Sequence, residues 1–259
     1  MPARQPASHR RSVWLRPERP VRDRRLSRAL ITVAAVEILD AEGLEGLSMR
    51  RIADRLGVTA GSLYWYVATK DELLELALDA VTGEICSPAT EPGAPGGPPG
   101  SDGWRDALAA IARSRRAMLL RHPWVVPLMS TLPDMGPNAL RAAERALRIL
   151  TSAGFGPDKA ADALAAISNQ VTGAVVAEIA WRELARGPAG TLADWQRDAA
   201  AYMSQIGEQH PLLAARFAAD PPDIETVSAA RFAFALGCLL DGLAARLPAR
   251  HAPRGQGGR

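Results

Sequence analysis

Apolar positions recur at helical spacing over nearly the whole chain. From Ser27 to Glu42, the residues Leu30, Val33, Ala34, Ile38 and Ala41 fall every three or four positions, which predicts a helix with one buried face. Ser27 suits its N-cap and Gly43 its end. A second, short helix is predicted from Ser48, with Ile52, Ala53 and Leu56 facing inward and Gly57 stopping it. Thr59 can cap a third helix reaching about Tyr66. Thr69, with Glu72 three residues on, forms a capping box for a fourth, lined by Leu74, Ala77, Leu78, Val81 and Ile85. The stretch SPATEPGAPGGPPGSDG then interrupts the pattern, because its prolines and glycines support no regular element. Helical periodicity resumes over 102–121, 123–131, 137–153, 157–187, 191–208, 210–219 and 222–247. Pro123, Pro137 and Pro157 stand at starts, and Gly154 and Gly187 at ends. The expected fold is all-α, a small N-terminal helical unit followed by a larger one.

That pattern divides the chain into a basic arm expected to be disordered (1–25), a compact helical unit (26–86), a linker (87–101), a large helical unit (102–247) and a basic tail (248–259). Hydrophobic residues make up 47% of the chain, enough for a sizeable core, while aromatics make up only 5%. Two cysteines, Cys86 and Cys238, build no disulfide framework and point to a reducing compartment. The N-terminus lacks the apolar core of a signal peptide. No run is expected to span a membrane; the longest uncharged stretch, Ala163 to Ala177, carries Ser168, Asn169, Gln170 and Thr172. A cytoplasmic location is expected.

Net charge is only +3, but it is unevenly placed. Residues 1–25 hold eight arginines against Glu18 and Asp23, whereas residues 26–86 hold five basic and ten acidic side chains. Four further arginines lie after residue 245. Basic ends flanking an acidic unit suit a nucleic-acid partner or a solvated tail.

The segment LSMRRIADRLGVTAGSLYWYVATKDELLELALD favours the first. Two short helices meeting at a glycine-containing turn form the helix-turn-helix pattern, whose second helix enters the major groove. Thr59, Ala60, Gly61 and Ser62 are small enough at the start of that helix to let it approach base edges. Tyr64, Trp65 and Tyr66 carry polar tips suited to phosphate oxygens, and Arg50, Arg51 and Lys70 flank them. The bland reading is a three-helix core with buried aromatics.

GLEGLSMRRIADRLGV, GSLYWYV and KDELLELALD, in this order across residues 26–86, resemble the tetracycline-repressor (TetR) family of bacterial transcription regulators. RHPWVV and ALRILTSAGFGPDKA resemble that family's ligand domain. The resemblance implies base contacts from Arg50, Ala60, Gly61 and Ser62, with Thr59 beside them. It implies backbone contacts from Ser48, Tyr64, Trp65, Tyr66 and Lys70. Ala60 stands where some members carry a longer polar side chain, and Tyr66 replaces a frequent histidine or phenylalanine. Base readout by side chains is therefore thin, resting on Arg50 and Ser62. The arm, which resembles that of some actinomycete relatives at SVWLRPERP, would compensate through Arg22, Arg24 and Arg25 in the minor groove.

The resemblance further implies a small-molecule effector, a near-palindromic operator and a homodimer. Candidate ligand contacts are Met118, His122, Trp124, Met129, Asn169, Gln170, Thr172 and Trp181. Helices 157–187 and 222–247 are the candidate dimer interface, since FAFALGCLL is apolar all round. The expected function is a repressor released by a lipophilic molecule such as an antibiotic or metabolite, controlling an exporter or biosynthetic gene. The alternative is a regulator controlled by a partner or by no ligand. An enzyme is disfavoured: there is no GxSxG elbow, P-loop or GxGxxG. The four histidines, His9, His122, His210 and His251, lie at no metal-ligand spacing, so neither cofactor nor metal is expected.

Overall fold

A computed structural model describes residues 12–15, 26–86, 103–132, 134–187, 191–218 and 223–247. Every regular element among them is helical. Contacts divide the chain into two compact units, residues 1–164 and 165–259.

The first unit begins with a single helical turn, Val13–Leu15. Helix α1 (Arg28–Gly46) is capped by the Ser27 hydroxyl, which accepts from the Leu30 amide, and it breaks at Gly43, where φ is +69°. Helix α2 (Met49–Leu56) is capped by Ser48 and closed by Gly57 at φ +65°, a left-handed turn that glycine adopts without steric cost. Helix α3 (Ala60–Tyr66) follows, then α4 (Lys70–Thr82), which continues as a tighter turn over Gly83–Cys86. Helices α5 (Gly103–Arg121), the short α6 (Val125–Leu128) and α7 (Pro137–Ala153) complete this unit with the start of α8 (Pro157–Arg186). Helix α6 is shorter than the 123–131 expected. On either side of α6 the chain makes tight turns, with the Val125 amide bonded to His122 and the Thr131 amide to Leu128, and Pro127 withholds an amide from the middle of the stretch.

Helix α4 is the centre of this unit: it packs on α1, α5 and α7 and on the Val13–Leu15 turn. Every residue from Glu72 to Asp79 is buried. Three of them are carboxylates, and each is used. Glu72 accepts from the Ala68 amide at 2.9 Å, while the Thr69 hydroxyl accepts from the Glu72 amide at 3.1 Å. Glu75 accepts from the Val13 amide at 3.0 Å and from the Ser12 hydroxyl. Asp79 accepts from the amides of Asn138 and Ala139 at 2.9 and 3.1 Å, and so serves as the N-cap that α7 lacks in its own sequence. At Gly136 an added Cβ would lie 2.1 Å from the Asp79 Oδ1, so only glycine admits this cap.

Two expectations are corrected here. The buried face of α1 is Ile31, Ala34, Ala35, Ile38 and Leu39, whereas Leu30 and Val33 are 48% and 56% exposed and Ala41 is exposed. An apolar-rich helix offers two phases, and α4 selects the one carrying the larger branched side chains. Residues 12–15 are also no free tail. Ser12 and Val13 are buried, held by the Glu75 carboxylate.

The second unit contains the rest of α8, then α9 (Thr191–Ile206), α10 (Pro211–Ala218) and α11 (Ile224–Ala244). Helix α9 packs on α10. The Trp181 and Trp195 rings meet edge to face at 4.9 Å, and Arg182 bridges the buried Glu178 at 2.9 Å and Glu225 at 3.3 Å. Helix α11 buries Phe232, Leu236 and Leu240 on one stripe, while Phe234 is 75% exposed. Helices α8 and α11 are both long and apolar enough, by length and composition alone, to cross a bilayer, a test that the core helices of soluble proteins also pass.

Candidate nucleic-acid interface and ligand cavity

Helices α2 and α3 pack together, with Ile52, Ala53, Leu63 and Tyr66 as their buried anchors. What they leave outside is the candidate DNA surface. Arg50 extends into solvent, its side chain 90% exposed, with only a 3.9 Å approach to Asp54. Its neighbour Arg51 is occupied, paired with Glu42 and donating to the Gly46 carbonyl at 3.2 Å. The Glu42 carboxylate, by hydrogen bonding, raises the Arg51 pKa above its ordinary value. Arg55 is likewise held by Glu37 at 2.8 Å.

On α3, Thr59, Gly61 and Ser62 are exposed, and Ala60 is half-buried. Thr59 makes no side-chain cap; its hydroxyl lies 3.0 Å from that of Ser62, while its carbonyl accepts from the Ser62 amide. Tyr64 and Trp65 present their rings to solvent, 49% and 36% exposed. Tyr66 does not: its ring is buried, and its carbonyl accepts from Arg28 Nε at 3.1 Å. Ser48 is exposed but caps α2 through the Arg51 amide. Lys70 reaches back to the Leu44 carbonyl at 2.9 Å, which braces the segment after the α1 break. Arg22, Arg24 and Arg25 lie outside the described residues.

A cavity of about 120 Å³ lies in the first unit, lined by Leu78 and Thr82 of α4, Arg115, Met118 and Leu119 of α5, Val125, Met129, Leu132 and Asp134. Of the candidate ligand contacts, Met118 and Met129 line it. His122 and Trp124 belong to a different arrangement. The buried His122 places Nδ1 2.6 Å from Asp40 and Nε2 3.0 Å from Glu84, and Trp124 Nε1 donates to the same Asp40 oxygen at 2.7 Å. Arg121 also pairs with Glu84. This network ties the C-terminal part of α1 to the end of α5. Asn169, Gln170, Thr172 and Trp181 lie in the second unit: Asn169 is exposed, the others are half-buried, and Thr172 bonds its own helix at the Ser168 carbonyl.

Arg115 and Asp134 were not singled out in the sequence. Arg115 hides in the run RSRR, and nothing in the sequence distinguishes it there from Arg113 and Arg116. Burial lowers its pKa, against an upward pull from Asp134. Asp134 is shifted up, mainly by burial and further by the Asp79 charge, with Arg115 opposing. It sits at the cavity rim with much of its surface in water, which screens its pull on Arg115. Asp79 is also shifted up by burial, opposed by the α7 amides it accepts from. No cluster of histidine, cysteine and carboxylate side chains able to hold a metal occurs among the described residues.

A helix-turn-helix pair joined through α1 to a helix, α4, that walls a largely apolar-lined cavity defines a class, the one-component regulator. Comparison gives the family. The profile of the bacterial regulatory proteins of the tetR family matches residues 31–77, and that of the tetracyclin repressor-like C-terminal domain matches residues 96–247. An HTH-type transcriptional regulator of Saccharopolyspora erythraea is 44% identical over 82% of this chain and 84% of its own. The HTH-type transcriptional repressor DrrR1 of Streptomyces coeruleorubidus is 36% identical over 82% of this chain and 75% of its own. Among solved structures, Streptomyces coelicolor ActR in complex with actinorhodin shares 31% identity and a TM-score of 0.66, over 85% of this chain and 97% of that one. The chain therefore belongs to the TetR family of transcriptional regulators, and it is not an enzyme. Regulators of this family bind operator DNA and small-molecule effectors and act as dimers.

Proposed function

We propose that this protein is a repressor released from its operator by a small lipophilic molecule bound in the α4–α5 cavity. The observation that carries the proposal is the double use of α4. Its Leu78 and Thr82 wall the cavity, and the helix packs on α1, which in turn packs on α2, the partner of α3. A ligand that favours one placement of α4 shifts the population of DNA-competent protein by its differential affinity for the two placements. ActR with actinorhodin and the tetracycline repressors support an antibiotic or related metabolite as effector, and an exporter or biosynthetic gene as target.

Within this reading residues 26–86 bind DNA and residues 102–247 bind ligand and dimerise, an assignment supported by the spans of the two family profiles. Arg50 and Ser62 read bases, Ala60 and Gly61 allow close approach, and Ser48, Thr59, Tyr64, Trp65 and Lys70 serve the backbone. Arg22, Arg24 and Arg25 add minor-groove or phosphate contacts. The exposed apolar surfaces of α8 and α11 meet a second copy rather than a bilayer, which sets two recognition helices about 34–36 Å apart on a near-palindromic operator in the cytoplasm. The test is a gel shift of the chain on its own upstream DNA, with and without candidate effectors. Release by an effector that also raises the melting temperature supports the proposal. Operator binding indifferent to every ligand that binds the cavity contradicts it.

A further inference from the structure

We infer that the effector of this protein is an organic acid built on an aromatic or otherwise apolar body, with its anionic oxygen paired to Arg115; this rests on the effector reading above. The cavity lining is apolar except for Thr82, Arg115 and Asp134. The Thr82 hydroxyl is spent, donating to the Leu78 carbonyl at 2.8 Å. Arg115 is not. Its Nε is shut off from solvent and has no hydrogen-bond partner among the described residues. Its electrostatic partner is Asp134 at the rim, and no ion pair within 4 Å joins them among the described residues.

A guanidinium is always charged and carries five donors in a planar fork that fits a carboxylate. The Arg115 Nε–H, buried without an acceptor, loses solvation with no hydrogen bond in return, and buried donors are rarely left so unless a ligand completes them. Burial lowers the Arg115 pKa, which reflects the same unmet demand for a counter-charge. Leu78, Met118, Leu119, Val125, Met129 and Leu132 supply the apolar enclosure for the rest of the molecule. Methionines at two of these positions adapt to flat rings of varied outline. The volume, about 120 Å³, is close to that of engineered apolar cavities of ~150 Å³ that hold one benzene ring. Larger effectors must therefore part α5 from the Val125–Asp134 segment that walls the cavity. Asp134 opposes an anion entering past it, so it selects against acids too short to reach Arg115.

The experiment titrates the full chain with sodium salicylate and with methyl salicylate, which lacks the charge on the acid group and is larger by one methyl, following tryptophan fluorescence and calorimetry. Wild type should bind salicylate at least tenfold more tightly than the ester. Arg115→Gln should abolish that preference, and Arg115→Lys should retain part of it, which separates lost charge from lost packing. Asp134→Asn should tighten salicylate severalfold without affecting the ester. Equal affinity for the two compounds, no binding of either, or a preference that survives in Arg115→Gln overturns the inference. Operator binding is measured in parallel. Arg115-dependent salicylate binding that leaves the operator complex intact supports the acid site and counts against the repressor-release reading. A neutral compound that releases the operator equally from wild type and Arg115→Gln overturns the acid site and leaves the release reading standing.

Discussion

Helices α3 and α4 are separated by three residues, and they treat their polar groups in opposite ways. On α3 the hydroxyls of Thr59 and Ser62 and the rings of Tyr64 and Trp65 face solvent. On α4 the carboxylates of Glu72, Glu75 and Asp79 are buried and hydrogen-bonded to backbone amides of other segments. One helix keeps its chemistry available for a partner; the other uses it to bind the unit together. Substitutions should divide accordingly. Those on α3 change DNA affinity with little effect on folding, and those around α4 change folding and the response to ligand.

The largest effect is expected at Gly136→Ala. The new Cβ meets the Asp79 carboxylate, and either the cap on α7 opens or the α4–α7 contact spreads. Overpacking of this kind costs about 1–3 kcal/mol and loss of a cap about 1 more. A drop of several degrees in the melting temperature checks it, and an unchanged melt would mean that Asp79 and α7 are not coupled as described. Next comes Arg50→Ala, and with it Ser62→Ala. Each should weaken operator binding by about 1–3 kcal/mol while the melting temperature stays within a degree, read by fluorescence anisotropy on operator and scrambled DNA. An equal loss on both DNAs would reassign the residue to phosphate contact.

A smaller effect is expected when Arg22, Arg24 and Arg25 are all changed to Gln. The slope of log affinity against log salt should fall by up to about 0.9 for each phosphate contact removed. This triple variant is a cleaner test than deleting residues 1–25, because deletion also removes the Ser12–Val13 anchor on Glu75. An unchanged slope removes the arm from the DNA interface. The smallest effect is a pH dependence at Asp79. Its folded pKa is raised by burial, so the folded state holds the proton more tightly than the unfolded state. Its ionisation therefore penalises folding increasingly as pH rises from about 3.8, the ordinary aspartate value, through the folded pKa, and then no further. Asp79→Asn should gain stability relative to wild type across that window, by parallel urea titrations. A constant difference between the two proteins would show that Asp79 titrates alike in both states.

The helices and the DNA surface were legible in the sequence for local reasons. Ser27, Ser48 and Thr69 cap helices whose boundaries need no tertiary contact, and Gly57 marks its turn by conformation alone. The long-range polar contacts were not legible in the same way. Glu72, Glu75 and Asp79 sit at i, i+3 and i+7 on a helix that is otherwise apolar, a regular stripe that looks like a solvated face until α7 and residues 12–13 cover it. The phase of α1 is not set by the sequence, because Leu30 and Ile31 are adjacent and both apolar. Only packing on α4 decides between them. Tyr66 was grouped with Tyr64 and Trp65 by composition, but helical geometry turns it inward beside Leu63. His122 and Trp124 look like pocket residues in the sequence, being polar-tipped and near Met118. Their partners Asp40 and Glu84 are 82 and 38 residues away for His122 and invisible to any local pattern.

The central claim is that occupancy of the α4–α5 cavity and binding of the operator oppose one another through α4. Its most direct test is a reciprocal titration. Operator affinity is measured by anisotropy at zero and saturating effector, and effector affinity by calorimetry on free and operator-bound protein. The account predicts that each ligand weakens the other by the same factor, about 5–150-fold. An effector that binds the cavity and leaves operator affinity unchanged would contradict it.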